Sequence, residues 1–299
     1  MTSEAENLLA RGRSRPVPRR AYRDGIELSI VGFGGIVVNG QEQGDADDEV
    51  ARAFDRGINY FDVAPSYNAG EAEIKLGIAL QPFRDRSFLA CKTGRRDAEG
   101  ARFELEQSLK RLKTDHFDLY QFHAVTSLED VEKIFARGGA METYLAARES
   151  GKVRYLGFSA HSEEAALAML DRFPFDSILF PINYVCYAQG DFGPAVVAKA
   201  RELGVARLAL KGLAYTPWAK EEERVYPKTW YRPIDDLDLV ARALRFTLSE
   251  PITAALPPGE ERLFRLATDL AAAFEPLSAD ERTALLESAR EVAPIFSSR

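Results

Sequence analysis

Two cysteines, Cys91 and Cys186, are all that the chain contains, each within an apolar stretch and neither at metal-ligand spacing. That argues against a disulfide framework or a zinc site, and for two buried thiols in a reducing compartment. No apolar run approaches the ~18 residues of a membrane span. The N-terminus carries Arg11, Arg13, Arg15, Arg19 and Arg20 with no apolar run behind them. It lacks the form of a signal peptide and reads as a flexible basic arm over residues 1–19, so the expected location is cytoplasmic. Positive charge is outnumbered, 39 Lys and Arg against 46 Asp and Glu, for a net charge of −7. This argues against a nucleic acid or an anionic membrane as partner, while leaving room for a local basic pocket holding one phosphate. Also missing is a G-x-G-x-x-G turn opening a helix after the first strand; Gly32-Phe-Gly-Gly-Ile-Val does not complete it.

What is present is length and repetition. With 299 residues, 46% of them hydrophobic, the chain can bury a large core. Arg20 to Gly25 followed by Ile26 to Ile30 predicts a hairpin, with Asp24-Gly25 supplying the positive φ of a tight turn. The order helix, glycine, apolar strand recurs at Arg56-Gly57-Ile58, Ser150-Gly151-Lys152 and Leu203-Gly204-Val205, where glycine suits the left-handed end of a helix. Strand starts near Ile58, Ser87, Phe117, Val153, Asp176, Val205 and Ile252 mostly follow one another at ~30 residues, the length of a strand–helix unit. Ile30 to Phe33 makes eight. The predicted fold is an α/β, (β/α)8 TIM barrel over residues 20–299, with an N-terminal β-hairpin and extra C-terminal helices, the last opened by the capping box Ser278-Ala-Asp-Glu281. A doubly wound open sheet is the structural alternative.

Three successive apolar strands end on an ionisable residue: Ile58 to Phe61 on Asp62, Phe88 to Cys91 on Lys92, and Leu119 to Phe122 on His123. Barrel active sites lie at strand C-terminal ends, so these side chains would converge over the mouth, with Tyr67 folding over them from the next loop. An ammonium beside a phenol favours the phenolate and lowers the phenol pKa, and a carboxylate keeps that ammonium charged and placed. Asp62, Lys92 and Tyr67 form such a relay, suited to protonating an oxygen that becomes an alkoxide. A neutral His123 imidazole would orient the carbonyl. This chemistry fits hydride transfer from a nicotinamide to a carbonyl.

These contexts resemble the aldo/keto reductase family. The resemblance runs through Gly57-Ile-Asn-Tyr-Phe-Asp62 with Tyr67, Cys91-Lys-Thr-Gly94, Ser108-Leu-Lys-Arg-Leu112, Asp118-Leu-Tyr-Gln-Phe-His123 and Gly151-Lys-Val-Arg-Tyr-Leu-Gly-Phe-Ser159. It implies a catalytic tetrad of Asp62, Tyr67, Lys92 and His123, with NADPH as cofactor and NADH as the alternative. It further implies that Ser159 and Asn183 hold the nicotinamide carboxamide, Ala160 having replaced the family's usual asparagine. Leu210 would press on the ring. Backbone amides from Gly212 through Leu213 to Ala214, with Lys211, would hold the pyrophosphate. Gly35 and Gly259 join the cofactor set, and Arg262 and Arg265 would read a 2′-phosphate.

The implied substrate is a small carbonyl compound (aldehyde, ketone or sugar), reduced with Tyr67 as proton donor and contacted by Tyr67, His123 and Trp218. Trp218 belongs to the aromatic segment 215–231, which is either a substrate lid or packing against the rim or a second subunit; the sequence leaves the oligomeric state open. Two other readings stand beside the enzyme: a cofactor-binding regulatory subunit of the same fold without significant turnover, and a phosphate-handling barrel that needs no nicotinamide.

Overall fold

The computed structural model describes residues 3–298. Eight parallel strands form the barrel: β3 (Phe33–Gly34), β4 (Tyr60–Asp62), β5 (Phe88–Thr93), β6 (Phe117–Val125), β7 (Val153–Ala160), β8 (Ser177–Pro181), β9 (Ala206–Leu210) and β12 (Ala254–Leu256). Each pairs with the next. The ring closes where Ala255 N donates to Ile30 O and Gly32 N to Ala255 O, both at 2.9 Å. Helices wrap the outside: α2 (Gln43–Asp55), α3 (Glu71–Ala79), α4 (Ala98–Arg111), α5 (Leu128–Phe135), α6 (Ala140–Glu149), α7 (Glu163–Arg172), α8 (Tyr184–Gly190), α9 (Pro194–Glu202), α10 (Leu237–Ser249) and α11 (Glu261–Ala272). The closed (β/α)8 barrel is therefore the fold, and the open-sheet alternative is excluded. Gly57, Gly151 and Gly204 take φ of 86°, 76° and 68°, the left-handed stops that let a short turn enter the next strand.

The hairpin of β1 (Arg19–Arg23) and β2 (Ile26–Ser29) turns through Asp24 (φ 50°) and Gly25 (φ 78°). It floors the barrel: Tyr22 meets Phe88 and Tyr155 edge-on at 5.0 and 5.4 Å, in one apolar cluster with Leu28, Tyr60, Leu119 and Leu208. With the bottom filled, the open end is the upper one. Strand side chains alternate in direction. Phe61, Leu89, Cys91, Tyr120 and Phe122 face the helices, while Tyr60, Asp62, Lys92, Gln121 and His123 face the lumen. Both thiols are buried.

The N-terminal segment departs from the expected loose arm. Glu4–Gly12 is a helix, α1, capped by a reciprocal box between Ser3 and Glu6. It packs on α10 and α11 with Ala5 and Leu8 buried. A Cβ on Gly12 would lie 1.8 Å from Asp269 O, so only glycine permits that approach to α11. Arg56 Nη2 donates to Gly12 O at 2.8 Å. At the other terminus, α12 (Ala279–Ser288) lies against α8 and α10, and Phe296 of the tail stacks on Phe192 at 5.3 Å.

Candidate active site

A cavity of about 210 Å³ sits over the C-terminal ends of the strands. Asp62, Tyr67, Lys92 and His123 all line it. Register explains the convergence: Asp62 pairs with Ala90 and Lys92 with Gln121, so period two carries each polar residue into the lumen on adjacent strands. Lys92 and Asp62, each only 1% exposed, form an ion pair. Lys92 Nζ also donates to Tyr67 Oη at 3.1 Å and to Val63 O at 3.3 Å. Asp62 Oδ2 accepts from Gln121 Nε2 at 2.9 Å and from Tyr60 Oη at 3.3 Å. Gln121 and Tyr60 thus complete the carboxylate's shell. Both were signalled in the sequence by their spacing of two from His123 and Asp62.

The electrostatics follow from burial. Burial alone would lower the Lys92 pKa, but Asp62 and the Tyr67 hydroxyl outweigh it, and the ammonium titrates above its ordinary value. Tyr67 does not behave as the relay argument expects. Burial raises its pKa, the neighbouring Lys92 lowers it, Asp62 raises it again, and the net shift is upward. The phenol is therefore firmly protonated at neutral pH. His123 is pushed down to about 3 by burial and then by Lys92, His161, Arg96 and Lys211, which leaves a neutral imidazole. Its ring meets Tyr67 edge-on at 5.7 Å, and Nδ1 lies 3.3 Å from Ser66 Oγ. Arg96, ion-paired with Asp130, donates to His123 O at 2.8 Å and Ala124 O at 3.1 Å, and so fixes the end of β6.

The expected cofactor residues divide. Ser159, Leu210, Lys211 and Gly259 line the cavity. Gly35 does not; its flanking residues Gly34 and Ile36 do, and a Cβ on Gly35 would press on Val63 at 2.7 Å. Asn183 is fully buried and committed elsewhere. Its Oδ1 accepts from Val185 N and Cys186 N, capping α8, and its Nδ2 donates to Lys211 O and Ala214 O. Gly212 and Leu213 are buried behind the wall, and Ala214 N is used within the turn by Lys211 O at 2.9 Å. Arg265 is held by Glu49 on the outer face, with Nε 3.1 and 3.0 Å from the two carboxylate oxygens, and does not line the cavity. Arg262 is exposed on α11. Trp218 gives Nε1 to Thr229 O at 3.1 Å and is replaced at the cavity wall by Trp230 and Tyr231. Those two sit where β11 (Tyr231–Pro233) pairs with β10 (Ala214–Pro217). Their segment also brings Lys228, bound to Val37 O at 2.8 Å and to Glu261 at 2.6 Å. His161 lines the cavity too, its ring 5.2 Å from Phe296.

A nicotinamide cofactor fits what is present: leucine walls (Leu179, Leu210, Leu256) for an aromatic ring, and the ammonium groups of Lys211 and Lys228 for phosphate. A protonated phenol on a buried lysine–aspartate pair beside a neutral imidazole, at the mouth of a closed barrel, suits the chemistry of a carbonyl oxidoreductase. The sequence model of the aldo/keto reductase family matches residues 31–229, and the chain belongs to that family. It is an NAD(P)H-dependent reductase acting on small carbonyl compounds. Over 298 residues it is 24% identical to an uncharacterized oxidoreductase, YqkF, of Bacillus subtilis (strain 168), covering 90% of this chain and 95% of that one. The aldo-keto reductase AKR11C1 from Bacillus halodurans, in its holo form, has the same fold with a TM-score of 0.71 and 22% identity, covering 95% of this chain and all of that one. A Bombyx mori aldo-keto reductase in complex with NADP has a TM-score of 0.68 and 17% identity, covering 95% and 98%.

Proposed function

We propose that this chain reduces the carbonyl of a small aldehyde, ketone or sugar with NADPH, and that Tyr67 delivers the proton. The observation that carries the reading is the Tyr67 hydroxyl, 3.1 Å from a Lys92 ammonium that is itself paired with buried Asp62, all lining one cavity. Bound, the reduced nicotinamide supplies the hydride. The protein's own residues do the rest. Tyr67 and His123 are the hydrogen-bond donors available to the carbonyl oxygen, and a phenol protonated at neutral pH is the acid that the forming alkoxide needs. Lys92 donates to the phenol oxygen and stabilises the negative charge it acquires as its proton leaves; Asp62 keeps that ammonium in place. Leu210 supplies an apolar face, and Lys211 and Lys228 the cationic groups that suit a pyrophosphate. Of the two arginines expected at a 2′-phosphate, Arg262 is the one free to act, and the NADPH preference rests on it and on the NADP complex of the fold relative.

Tyr67→Phe tests the reading. Loss of a positioned general acid removes roughly 10²–10⁴-fold in rate, while NADPH affinity, followed by fluorescence quenching, stays near that of the parent. Turnover within threefold of the parent would remove Tyr67 from the role. Tight NADPH binding without turnover of any aldehyde, ketone or aldose by the parent itself would point to the regulatory subunit instead.

A further inference from the structure

One extra residue sits at the end of β6, and it stands next to His123. Up to Phe122 the strand pairs with β7 residue for residue, Gln121 with Gly157 and Phe122 with Phe158, but the next partners are Val125 and Ala160. His123 and Ala124 together therefore oppose Ser159 alone, the two-against-one count of a β-bulge. Ala124 carries the irregularity, with a left-handed φ of 52°. Beyond it the alternation is inverted: Val125, which period two would turn to the lumen, packs among the helices. A residue with a β-carbon takes such a backbone only when its surroundings impose it. Two side chains impose it here. From β7, Ser159 Oγ accepts Ala124 N at 2.8 Å. From the loop after β5, Arg96 Nη2 donates to His123 O at 2.8 Å and to Ala124 O at 3.1 Å. Asp130 of α5 meets that guanidinium side-on, Oδ1 at 3.2 Å from Nε and Oδ2 at 3.4 Å from Nη2, the bidentate contact that fixes its plane.

The imidazole of His123 has little of its own to hold it. Nδ1 lies 3.3 Å from Ser66 Oγ and the ring meets Tyr67 edge-on, both on the loop after β4. Its aim is set by the backbone it hangs from, and that backbone is the bulge. We infer, on the carbonyl-reductase reading above, that Arg96 is a positioning residue for the reduction. By gripping the carbonyls of His123 and Ala124 it keeps the bulge closed and the imidazole on the oxygen that accepts the proton. Arg96 does this without lining the cavity. A donor helps a developing alkoxide only where its geometry is already right, so an arginine behind the wall bears on rate and not on binding of the cofactor. The planar fork matters as much as the charge. An ammonium in its place would reach a carbonyl but could not be locked in plane by Asp130.

The test is a double-mutant cycle in the full chain at saturating NADPH. The probes are 4-nitrobenzaldehyde, 2,3-butanedione and xylose, and the one reduced fastest by the parent is carried through. His123→Ala removes the donor itself and lowers kcat roughly 10²-fold. Arg96→Met alone lowers kcat about tenfold, because a misaimed donor loses much of its value, and leaves NADPH affinity at the parent level. Added to His123→Ala, the same substitution lowers kcat by less than about twofold more, since no imidazole is left to aim. Its effect on Tm is the same in both backgrounds, so a purely structural role would not produce the difference in kcat. Asp130→Asn loosens the guanidinium without removing it. It repeats the pattern at smaller size, and decides the question where Arg96→Met does not fold. Arg96→Lys recovers only part of the loss. A fall in kcat of equal size with and without His123 overturns the inference, as does parent-like kcat in Arg96→Met or in His123→Ala. An additive cycle in a parent that turns over defeats this inference alone; a parent that reduces none of the three probes defeats the reductase reading and the inference with it.

Discussion

Replacing Lys92 with methionine separates what the buried ion pair does for stability from what it does for chemistry. Both partners are 1% exposed, so Lys92→Met strands a carboxylate that keeps only Gln121 Nε2 at 2.9 Å and Tyr60 Oη at 3.3 Å. Breaking a buried pair from one side costs about 3–5 kcal/mol, a large part of the ~5–15 kcal/mol that holds a domain folded. At about 2–3 °C per kcal/mol in a chain of this length, Tm falls by roughly 10 °C. Asp62→Asn strands the ammonium instead, with Val63 O at 3.3 Å and the Tyr67 hydroxyl at 3.1 Å as its remaining neighbours, and a loss of similar size is expected. The double variant, Asp62→Asn with Lys92→Met, carries neither charge and recovers most of the loss. Turnover behaves differently: it falls at least ~10²-fold in Lys92→Met and in the double variant, because nothing stabilises the phenolate left by proton transfer, and less in Asp62→Asn, which keeps the ammonium beside Tyr67 but loses the carboxylate that holds it. Thermal unfolding and kcat/KM on the four proteins read both quantities. Single losses that simply add in the double variant would refute the pairing argument. Recovery of turnover along with stability would refute the chemical role of Lys92.

Arg262→Ala should cut the preference for NADPH over NADH, while Arg265→Ala should leave it alone and cost stability through Glu49, which is 2% exposed in the intact chain and loses its bidentate partner, keeping Arg52; steady-state kinetics with both cofactors distinguishes them. Because burial raises the Tyr67 pKa above ~10, reduction, which needs the phenol, should run flat through neutral pH, and the reverse oxidation, which needs the phenolate, should climb with pH. An acid limb near 6.5 in reduction would show that His123 titrates there rather than near 3. Leu8, 3% exposed on α1, should cost about 2–3 kcal/mol on truncation to alanine without altering kcat; an unchanged Tm would mean that α1 does not dock.

The barrel was legible because each strand announces itself locally, as an apolar run between a helix-ending glycine and a polar terminus. The lumen placement of three of the four expected tetrad residues was legible for the same reason, since alternation puts Asp62, Lys92 and His123 on that side. What could not be read was any assignment that depends on a distant partner. Arg265 looks like a phosphate ligand from its place after Pro257-Pro258-Gly259, yet its partner Glu49 stands 216 residues away. Asn183 has the amide expected of a carboxamide contact, but the turn after β9 consumes it. The helix α1 was hidden differently. Its capping box Ser3-Glu-Ala-Glu6 is visible, but its apolar face is short: Ala5 and Leu8 are buried and Leu9 partly so. The close approach of Gly12 to Asp269 and the ion pairs of Glu4 with Arg245 and of Arg11 with Glu275 dock that short face, and each depends on a partner far along the chain.

Tyr67 is the tetrad member whose position the barrel register does not explain. It stands on the loop after β4, and the three residues behind it, Asn68, Ala69 and Gly70, take φ of 47°, 54° and 93°. For the two that carry a β-carbon this costs of order 1 kcal/mol each, so something must hold the turn. Asn68 and Lys75 both bind Glu71, which also accepts Gly40 N at 3.2 Å. Under Gly70 lies Arg111, so close that a Cβ there would stand 2.3 Å from its Nη1. Arg111 is anchored in turn by Glu73, which is completely buried, at 3.0 Å. The strain therefore sits beside the residue read as proton donor, and α3 and α4 hold it there through charged contacts. A regular helical turn after Tyr67 would need none of them, but it would start α3 from a different point and move the phenol relative to Lys92. The geometry that matters most to the chemistry is thus secured outside the barrel wall, by residues that never reach the cavity.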